Sequence, residues 1–242
     1  MKKGLFFLTV SYVSFSVLFS SCGPPIRGKM VNVNRDVTTF FNSVDIGAPV
    51  NCKITVQQGA QTSIQLSGPE NFMKMLTTRV QDSVLHIESN DDFRIDWDDL
   101  VTVTITTPVL NSLDMSGAGS ADVMGNVTGS RFNADVSGVG KLTFTNITVD
   151  SLNIAMSGAG TLKIKAGNVK YGIYDLSGAG SIEAYGLQND EANASVSGAG
   201  GIRLSANTKL TTSISGVGSI RYKGHPAITS ENSGVGSVKN AN

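Results

Sequence analysis

The sequence is poor in charge and in proline. Of its 242 residues only 16% are charged, whereas roughly 25% is usual for a soluble domain. Lys plus Arg (19) equals Asp plus Glu (19). This zero balance, with cations scattered along the chain, excludes a nucleic-acid binder that works by neutralising phosphates, so no nucleic-acid partner is expected. Six prolines and a hydrophobic content of 40% also exclude a disordered tail.

Cysteine and histidine are equally scarce, with two of each. No Cys-x-x-Cys or Cys/His cluster is present, so neither a metal nor a cofactor is expected. Cys52 shares strand parity with Val50 and Ile54, which predicts a buried structural thiol. His86 and His225 lack the Ser/Asp or Cys neighbours of a catalytic triad, so we predict structural roles for both.

The one long apolar run, Leu5–Phe19, lies at the N-terminus behind Lys2 and Lys3. It is too short for a comfortable transmembrane helix. It leads through Ser20-Ser21 to Cys22, and this arrangement resembles a bacterial lipoprotein signal, in which the cysteine is lipidated. We therefore predict a signal peptide over residues 1–21 and lipidation of Cys22. The alternative is an ordinary secretory signal in which Cys22 is incidental.

Lipidation predicts a cell-envelope protein held in a membrane, the outer membrane in this case, by its N-terminal lipid. Residues 22–39 contain two prolines and several polar residues, which predicts a tether. Removing residues 1–21 removes two lysines and no acid, so the mature net charge is −2. No acidic cluster follows Cys22, so exposure outside the cell is not supported, and the periplasmic or surface side stays open.

Half of the glycines belong to one repeated tetrapeptide. Ser-Gly-(Ala/Val)-Gly occurs seven times, at intervals of 21, 20, 20, 20, 18 and 18 residues. Its glycines are Gly117, Gly119, Gly138, Gly140, Gly158, Gly160, Gly178, Gly180, Gly198, Gly200, Gly216, Gly218, Gly234 and Gly236. A unit of this length cannot bury its own apolar face, whereas stacked units can. The period therefore predicts a repeat architecture.

Strand-like alternation surrounds each motif and continues through it. In the third copy, Ile154 and Met156 share parity with Gly158, Gly160 and Leu162, so all five fall on the inward face. The glycines thus stand where inward side chains would otherwise be. Two reasons remain open. A corner may require backbone angles that only glycine adopts, or the opposite wall may approach too closely for a Cβ.

These patterns predict an all-β protein, a right-handed parallel β-solenoid with coils of about 20 residues. An up-and-down barrel is the alternative, although hairpin signals of the Asn-Gly type are absent at alternate turns. In-register stacking would place Lys163, Glu183 and Arg203 beside one another on the outside, as a ladder of alternating charge.

The repeats are expected to occupy residues 111–242, and residues 40–110 alternate as strands without the motif. We predict irregular first coils or a β cap there, because an open solenoid end exposes both core and strand edges. One helical turn is predicted near Glu70–Leu76.

Three features together resemble a known family. They are the stretch Phe40–Ile46, the segment Val50–Gly59 with its Gln-Gln-Gly end, and the repeats that follow Thr107-Pro108. Over residues 40–240 the chain is similar to the "putative auto-transporter adhesin, head GIN domain" family, which comprises envelope proteins, often lipoproteins, of Gram-negative bacteria. The resemblance implies a solenoid-like domain without an established enzymatic activity. It carries over no catalytic residue, because the family pattern is structural.

One acidic segment stands out from the rest of the chain. It holds five aspartates and the only tryptophan, Asp91, Asp92, Asp96, Trp97, Asp98 and Asp99. Such a segment could bind a cation or stack on a sugar ring. The alternative is a solvated loop or edge hairpin, which the alternation of Phe93, Ile95 and Trp97 favours.

Three functions are compatible with these observations. The leading hypothesis is a lipid-anchored, non-enzymatic envelope protein that binds a surface polysaccharide or protein, or acts as a scaffold. The second is a carbohydrate-active β-helix enzyme, which needs paired acids. Asp114 and Asp135 would be outward neighbours in stacked coils, whereas Ala155 would separate them from Asp175. The third is self-association through the Ser/Ala strip or the solenoid ends.

Overall fold

The computed structural model describes residues 28–36, 39–90 and 100–242. It is a parallel β-solenoid of about six turns of roughly 20 residues, which confirms the predicted fold class. The strands are β1 (Met30–Arg35), β2 (Ser43–Ile46), β3 (Val50–Val56), β4 (Ser63–Pro69), β5 (Leu76–Gln81), β6 (Val84–Ser89), β7 (Thr102–Thr107), β8 (Ser112–Met115), β9 (Ala118–Val136), β10 (Val139–Met156), β11 (Ala159–Ile164), β12 (Gly167–Leu176), β13 (Ala179–Val196), β14 (Ala199–Ile214), β15 (Val217–Lys223), β16 (Ala227–Asn232) and β17 (Val235–Asn240). The helical turn predicted between strands is α1 (Glu70–Met73).

Each repeat forms one coil, and equivalent residues stack in register. In β10, for example, Leu142 pairs with Leu162 of β11, and Ile154 pairs with Tyr174 of β12. All pairings between repeat strands in the described chain are parallel, which excludes the up-and-down barrel. The apolar residues of successive coils therefore form continuous inward rows, such as Leu142, Leu162 and Ile182, which are fully buried. The handedness of the coil stays a prediction.

Close approach between neighbouring coils explains most of the motif glycines. A Cβ placed on Gly138 would overlap the carbonyl oxygen of Gly117, and one on Gly158 would overlap that of Gly138. The obstacle is thus the backbone of the preceding coil and not the opposite wall, which was one of the two explanations that the sequence left open. A special backbone angle adds to this requirement at Gly119, whose φ is +128°.

The coil that precedes the first motif shows where glycine becomes unnecessary. By register, Val50 in this coil stands where Gly119 stands in the next one. Ala48 falls at the position of Gly117, since Ile46 pairs with Met115 two residues earlier. Both Ala48 and Val50 are fully buried with their side chains accommodated. Glycine is therefore required where one Ser-Gly-(Ala/Val)-Gly coil lies directly on a preceding coil.

The N-terminal strands stack in an order that differs from their order along the chain. Strands β2 and β3 form the first coil, and the chain then moves outward to lay β6 on β2 and β7 on β3. It returns to place β8 and β9 on the other side of the first coil. Antiparallel strands cover the outer edges, because β5 pairs with β6 and β4 pairs with β7 and β1. These antiparallel strands cap this end of the stack.

The first strand corrects the predicted tether. Residues 22–39 were predicted to be a tether, yet Met30–Arg35 forms β1 and pairs along its whole length with β4. The physical reason is that Val31 and Val33 alternate with Asn32 and Asn34, a strand pattern within a segment whose prolines and polar residues are typical of a tether. A tether can therefore extend no further than the residues before β1.

The C-terminal coil, formed by β16 and β17, ends the stack with polar inward positions. Buried residues of the preceding coil pair in register with Ser230, Asn232 and Asn240. The Asn232 side chain donates to the Gly236 carbonyl and accepts from the Gly234 N–H, which satisfies part of the exposed backbone. In the described sheet each of these two strands pairs with one neighbour, so their outer edges are open. The predicted self-association through a solenoid end would use these edges.

Candidate functional site

The ladder predicted on the strand after each motif is present. Glu183 pairs in register with Lys163 on one side and with Arg203 on the other. The Arg203 Nη1 lies 2.9 Å from Glu183 Oε1, and the Lys163 Nζ lies 3.7 Å from Oε2. These ion pairs are partly exposed, so each contributes about 0.2–1 kcal/mol and helps register more than stability. The predicted alternation of charge is confirmed.

Beyond this ladder the same row becomes uniformly positive. Arg203 pairs with Arg221, and Arg221 pairs with Lys239. Two positions further along the strands, Lys165 and Lys223 are also exposed. We call this surface the basic face. It comprises Lys163, Lys165, Arg203, Arg221, Lys223 and Lys239, with Glu183 and Tyr185 among them.

A shallow groove of about 380 Å³ lies within the basic face. It is lined by Lys163, Lys165, Glu183, Tyr185 and Arg203. Tyr185 is half-buried, and the Lys223 ammonium lies 5.1 Å from the centre of its ring. Lys223 reaches across an intervening coil because Ser205 there is small, buried and hydrogen-bonded to the Tyr185 carbonyl. The groove thus presents an aromatic surface beside several cations and one carboxylate.

A second charged row runs along the strands that precede the motifs. Asp114 pairs with Asp135, and Ala155 stands between Asp135 and Asp175, as the sequence predicted. The structure adds Asp45, which pairs with Asp114 on the other side. We call Asp45, Asp114 and Asp135 the acidic row. Asp45 was missed, although Val44-Asp45-Ile46 has the same apolar–Asp–apolar pattern as the segment around Asp114.

His86 extends the acidic row toward the cap. Its Nδ1 lies 3.0 Å from Asp45 Oδ2, and both side chains are partly buried. Glu88 is near enough that the three ligand atoms lie within 4.8 Å of one another, a spacing at which they could share a cation. Arg79 already neutralises Glu88 with Nη2 3.0 Å from Oε1 and Nε 3.3 Å from Oε2. His86 thus faces outward with a carboxylate partner, an arrangement that orders the surface of the cap.

The pKa of Asp114 is raised above its ordinary value by partial burial and then by the neighbouring Asp135 and Asp45. The folded state therefore favours the protonated carboxyl of Asp114. The fold is more stable with Asp114 protonated, and this stability is lost as the pH rises through the raised pKa. It follows that Asp114→Asn should stabilise the protein at pH 7 by about 0.2–1 kcal/mol, the usual size of a like-charge cross-strand penalty.

Urea unfolding at pH 7 and at about pH 3, below the ordinary Asp pKa, would measure this effect. The gain should vanish at the lower pH and shrink in high salt. Asp175→Asn is the matched control, because burial raises the pKa of Asp175 and Ala155 separates it from the acidic row. The stability gained by Asp175→Asn should not change with salt concentration. An Asp114→Asn variant less stable than the wild type at pH 7 would contradict the expected repulsion.

The remaining predicted residues divide into buried, exposed and undescribed ones. Cys52 lies in the core, and burial raises the pKa of its thiol to about 12, so it is protonated and unreactive at neutral pH. His225 is exposed in its turn. Outside the described residues lie the signal peptide, the lipidation site Cys22 and the acidic segment, Asp91, Asp92, Asp96, Trp97, Asp98 and Asp99. No helix in the described parts of the chain is both long and apolar enough to cross a membrane.

Solved structures with the same fold are known. A "putative adhesin" from Bacteroides fragilis NCTC 9343 shares 29% identity, with a TM-score of 0.85, over 90% of this chain and 100% of that one. A "putative adhesin" from Parabacteroides distasonis ATCC 8503 shares 22% identity, with a TM-score of 0.70, over 90% and 99%. A "putative lipid binding protein" from the same strain shares 20% identity, with a TM-score of 0.69, over 91% and 100%. The latter two show a common fold alone.

No curated protein matches the sequence significantly. The family comparison does find a match, over residues 40–226, to the family described as "Putative auto-transporter adhesin, head GIN domain". This span covers more than half of the sequence and includes the first six Ser-Gly-(Ala/Val)-Gly motifs. The chain therefore belongs to the head GIN domain family.

Proposed function

We propose that this protein is a lipid-anchored, non-enzymatic binding module of the cell envelope, with an adhesin-like role. Membership of the head GIN domain family and the β-solenoid fold support the adhesin-like role. Lipidation at Cys22 after removal of residues 1–21 would provide the anchor, and the residues before β1 would link that anchor to the domain. The membrane that receives the lipid is, in this proposal, the outer membrane.

The observation that carries the proposal is the in-register stacking of the coils. Outward side chains repeat along the solenoid axis at about 4.8 Å, so they form rows and not a converging cluster. The basic face and the acidic row each extend over several coils. A surface built in this way suits an extended ligand that contacts many coils at once, as adhesion requires.

A carbohydrate-active enzyme is the second candidate, and the pairing of Asp114 with Asp135 favours it. Carboxylates on adjacent strands approach the separation of about 5–5.5 Å that a retaining glycosidase needs. The neighbouring outward positions, however, are Ser112 and Asn133, which offer no aromatic surface for a sugar ring. Release of reducing ends from a polysaccharide by the wild type, and its loss in Asp114→Asn, would favour the enzyme over the binding module.

Lipid labelling tests the proposed anchor. Cells grown with radiolabelled palmitate should incorporate label into the wild-type chain, and Cys22→Ala should abolish the labelling and release the protein from the membrane fraction. The reason is that a thiol at Cys22 is the proposed acceptor of the acyl chains. Cys52→Ala is the matched control. It removes the other cysteine, which is buried in the core, and should leave the labelling unchanged.

The two variants have opposite expected outcomes, so the labelling can contradict the proposed lipid anchor without bearing on the adhesin-like role. Labelling that survives in Cys22→Ala would show that Cys22 is incidental, as in an ordinary secretory signal. Attachment of cells to a coated surface would then test the adhesin-like role separately. Equal attachment of cells with and without the protein would contradict that role whatever the outcome of the labelling.

A further inference from the structure

We propose that the basic face binds an acidic polysaccharide whose chain lies along the solenoid axis. This inference rests on the proposed function and names the class of ligand that the binding module would take. The site is built from Lys163, Lys165, Arg203, Arg221, Lys223 and Lys239 on successive coils, with Tyr185 and Glu183 among them.

Much of the positive charge on this face has no ion-pair partner among the described residues. Arg203, Arg221 and Lys239 are directly opposed on adjacent strands, where like charges repel. Glu183 pairs with Arg203 and Lys163, and no carboxylate among the described residues forms an ion pair with Arg221 or Lys239. A row of anionic groups at a similar spacing would relieve this repulsion along the whole column.

The geometry of the face indicates a linear ligand. From Lys163 to Lys239 the row crosses four steps between coils, about 19 Å at the usual strand spacing. Lys165 and Lys223 lie in a parallel row beside it, two residues further along their strands. Carboxylate or sulfate groups carried at regular intervals on one chain could contact several of these cations together, which raises affinity without any single deep pocket.

The groove around Tyr185 indicates a sugar rather than another polyanion. The part of the half-buried Tyr185 ring that lines the groove can pack against the apolar face of a pyranose ring, and the adjoining Glu183 carboxylate can accept hydrogen bonds from hydroxyl groups. Because Glu183 lies between Lys163 and Arg203, a ligand that carries hydroxyl groups between its acidic groups matches this alternation of charge.

The position of the face also separates it from the membrane that the protein itself would occupy. The chain enters the domain at the capped end, through β1, whereas the uniformly positive part of the basic face, Arg203, Arg221 and Lys239, lies in the last three coils. If Cys22 carries the lipid, these coils stand at the far end of the solenoid. Material beyond the lipid headgroups, such as an envelope or capsular polysaccharide, is therefore what the face would meet.

Binding of polygalacturonate to the full-length protein in detergent micelles tests this inference. We expect measurable binding at low salt, weaker binding as salt rises, and none to neutral dextran. Arg221→Gln, Lys223→Gln and Lys239→Gln combined should weaken the affinity for polygalacturonate by about 10-fold or more. The matched control combines Lys74→Gln, Lys170→Gln and Lys209→Gln, which removes the same charge from exposed positions off this face and should leave the affinity unchanged.

Tyr185 separates a sugar site from a general anion site. Tyr185→Ser should weaken binding to polygalacturonate, whereas Tyr185→Phe should preserve it, because the stacking surface is kept. Equal loss in both triple variants, equal binding to dextran, or vesicles of anionic phospholipid bound in preference to polygalacturonate would each overturn the proposal. The Cys22 labelling reports on the anchor alone, so failure here is distinguishable from failure of the proposed function.

Discussion

Gly158→Ala is expected to lower the free energy of unfolding by about 1–3 kcal/mol, the usual cost of forcing atoms into a filled space. A Cβ at this position would overlap the backbone of Ser137 and Gly138 in the preceding coil. Because the obstacle is backbone that is itself hydrogen-bonded between coils, no side-chain rotation can relieve it. In a domain of this size each kcal/mol lowers Tm by about 2–4 °C, so thermal unfolding followed by circular dichroism would detect the effect.

Gly47→Ala is the matched control, since it introduces the same methyl group at another corner of the solenoid. The nearest atoms to a Cβ there, the Ile87 carbonyl oxygen and the Ser116 hydroxyl, are both 3.7 Å away, which is ordinary contact distance. This substitution should therefore change the stability by less than about 0.5 kcal/mol, as for most surface changes. Comparable destabilisation by both substitutions would contradict the expected clash with the preceding coil, since the lower entropy of the unfolded chain would by itself make an alanine variant more stable.

Local periodicity was sufficient to predict the repeat region. The alternation through each motif assigned Leu162, Gly158 and Gly160 to the inward face, and the spacing between motifs placed Lys163 beside Glu183. Both inferences depend only on neighbouring coils that follow one another in the chain. The motif intervals of 21 to 18 residues did not disturb them, because the length differences are absorbed at register shifts away from the motif.

The stacking order of the N-terminal strands could not be predicted in this way. A strand's alternation shows which face is buried but not which strand lies beside it, because partners are chosen by long-range pairing. Asp45 therefore gave no indication that it would lie between His86 and Asp114, residues 41 and 69 positions further along. The basic face was hidden for a similar reason. Its cations are scattered in the sequence, and the net charge of the chain does not show that folding brings them together.

The two charged surfaces follow from one property of the coil. The residue two positions before each motif faces outward on one side of the corner, and the residue three positions after it faces outward on the other. Acids concentrate at the first position near the cap, where Asp45, Asp114 and Asp135 stack, and cations concentrate at the second position toward the C-terminal end. A neutral protein thereby carries two surfaces of opposite sign, so net charge alone says little about its ligands.

A buried polar residue marks the place where the coils shorten from 20 to 18 residues. Asn189 is fully buried in β13, beside a shift in the register with β14. It accepts a hydrogen bond from the Tyr174 hydroxyl at 2.8 Å and donates one to the Ser205 carbonyl at 2.8 Å. Burial raises the pKa of Tyr174, so its hydroxyl stays protonated and needs this acceptor. The side chain of Asn189 thus replaces backbone pairing that the shift disrupts.

Asn189→Ala should therefore cost about 2–5 kcal/mol, because it leaves the Tyr174 hydroxyl and the Ser205 carbonyl without these partners and opens a cavity. Tyr174→Phe removes only the hydroxyl and should cost about 1 kcal/mol.

Asn193 is the matched control, because its side-chain amide donates a hydrogen bond to the exposed Tyr171 hydroxyl at 2.8 Å, a similar contact made at the solvent-exposed surface. Asn193→Ala should cost less than about 0.5 kcal/mol, since solvent replaces the lost contact. Urea unfolding of the three variants would measure these differences. Equal costs for the two asparagine substitutions would mean that Asn189 fills space without bridging the register shift.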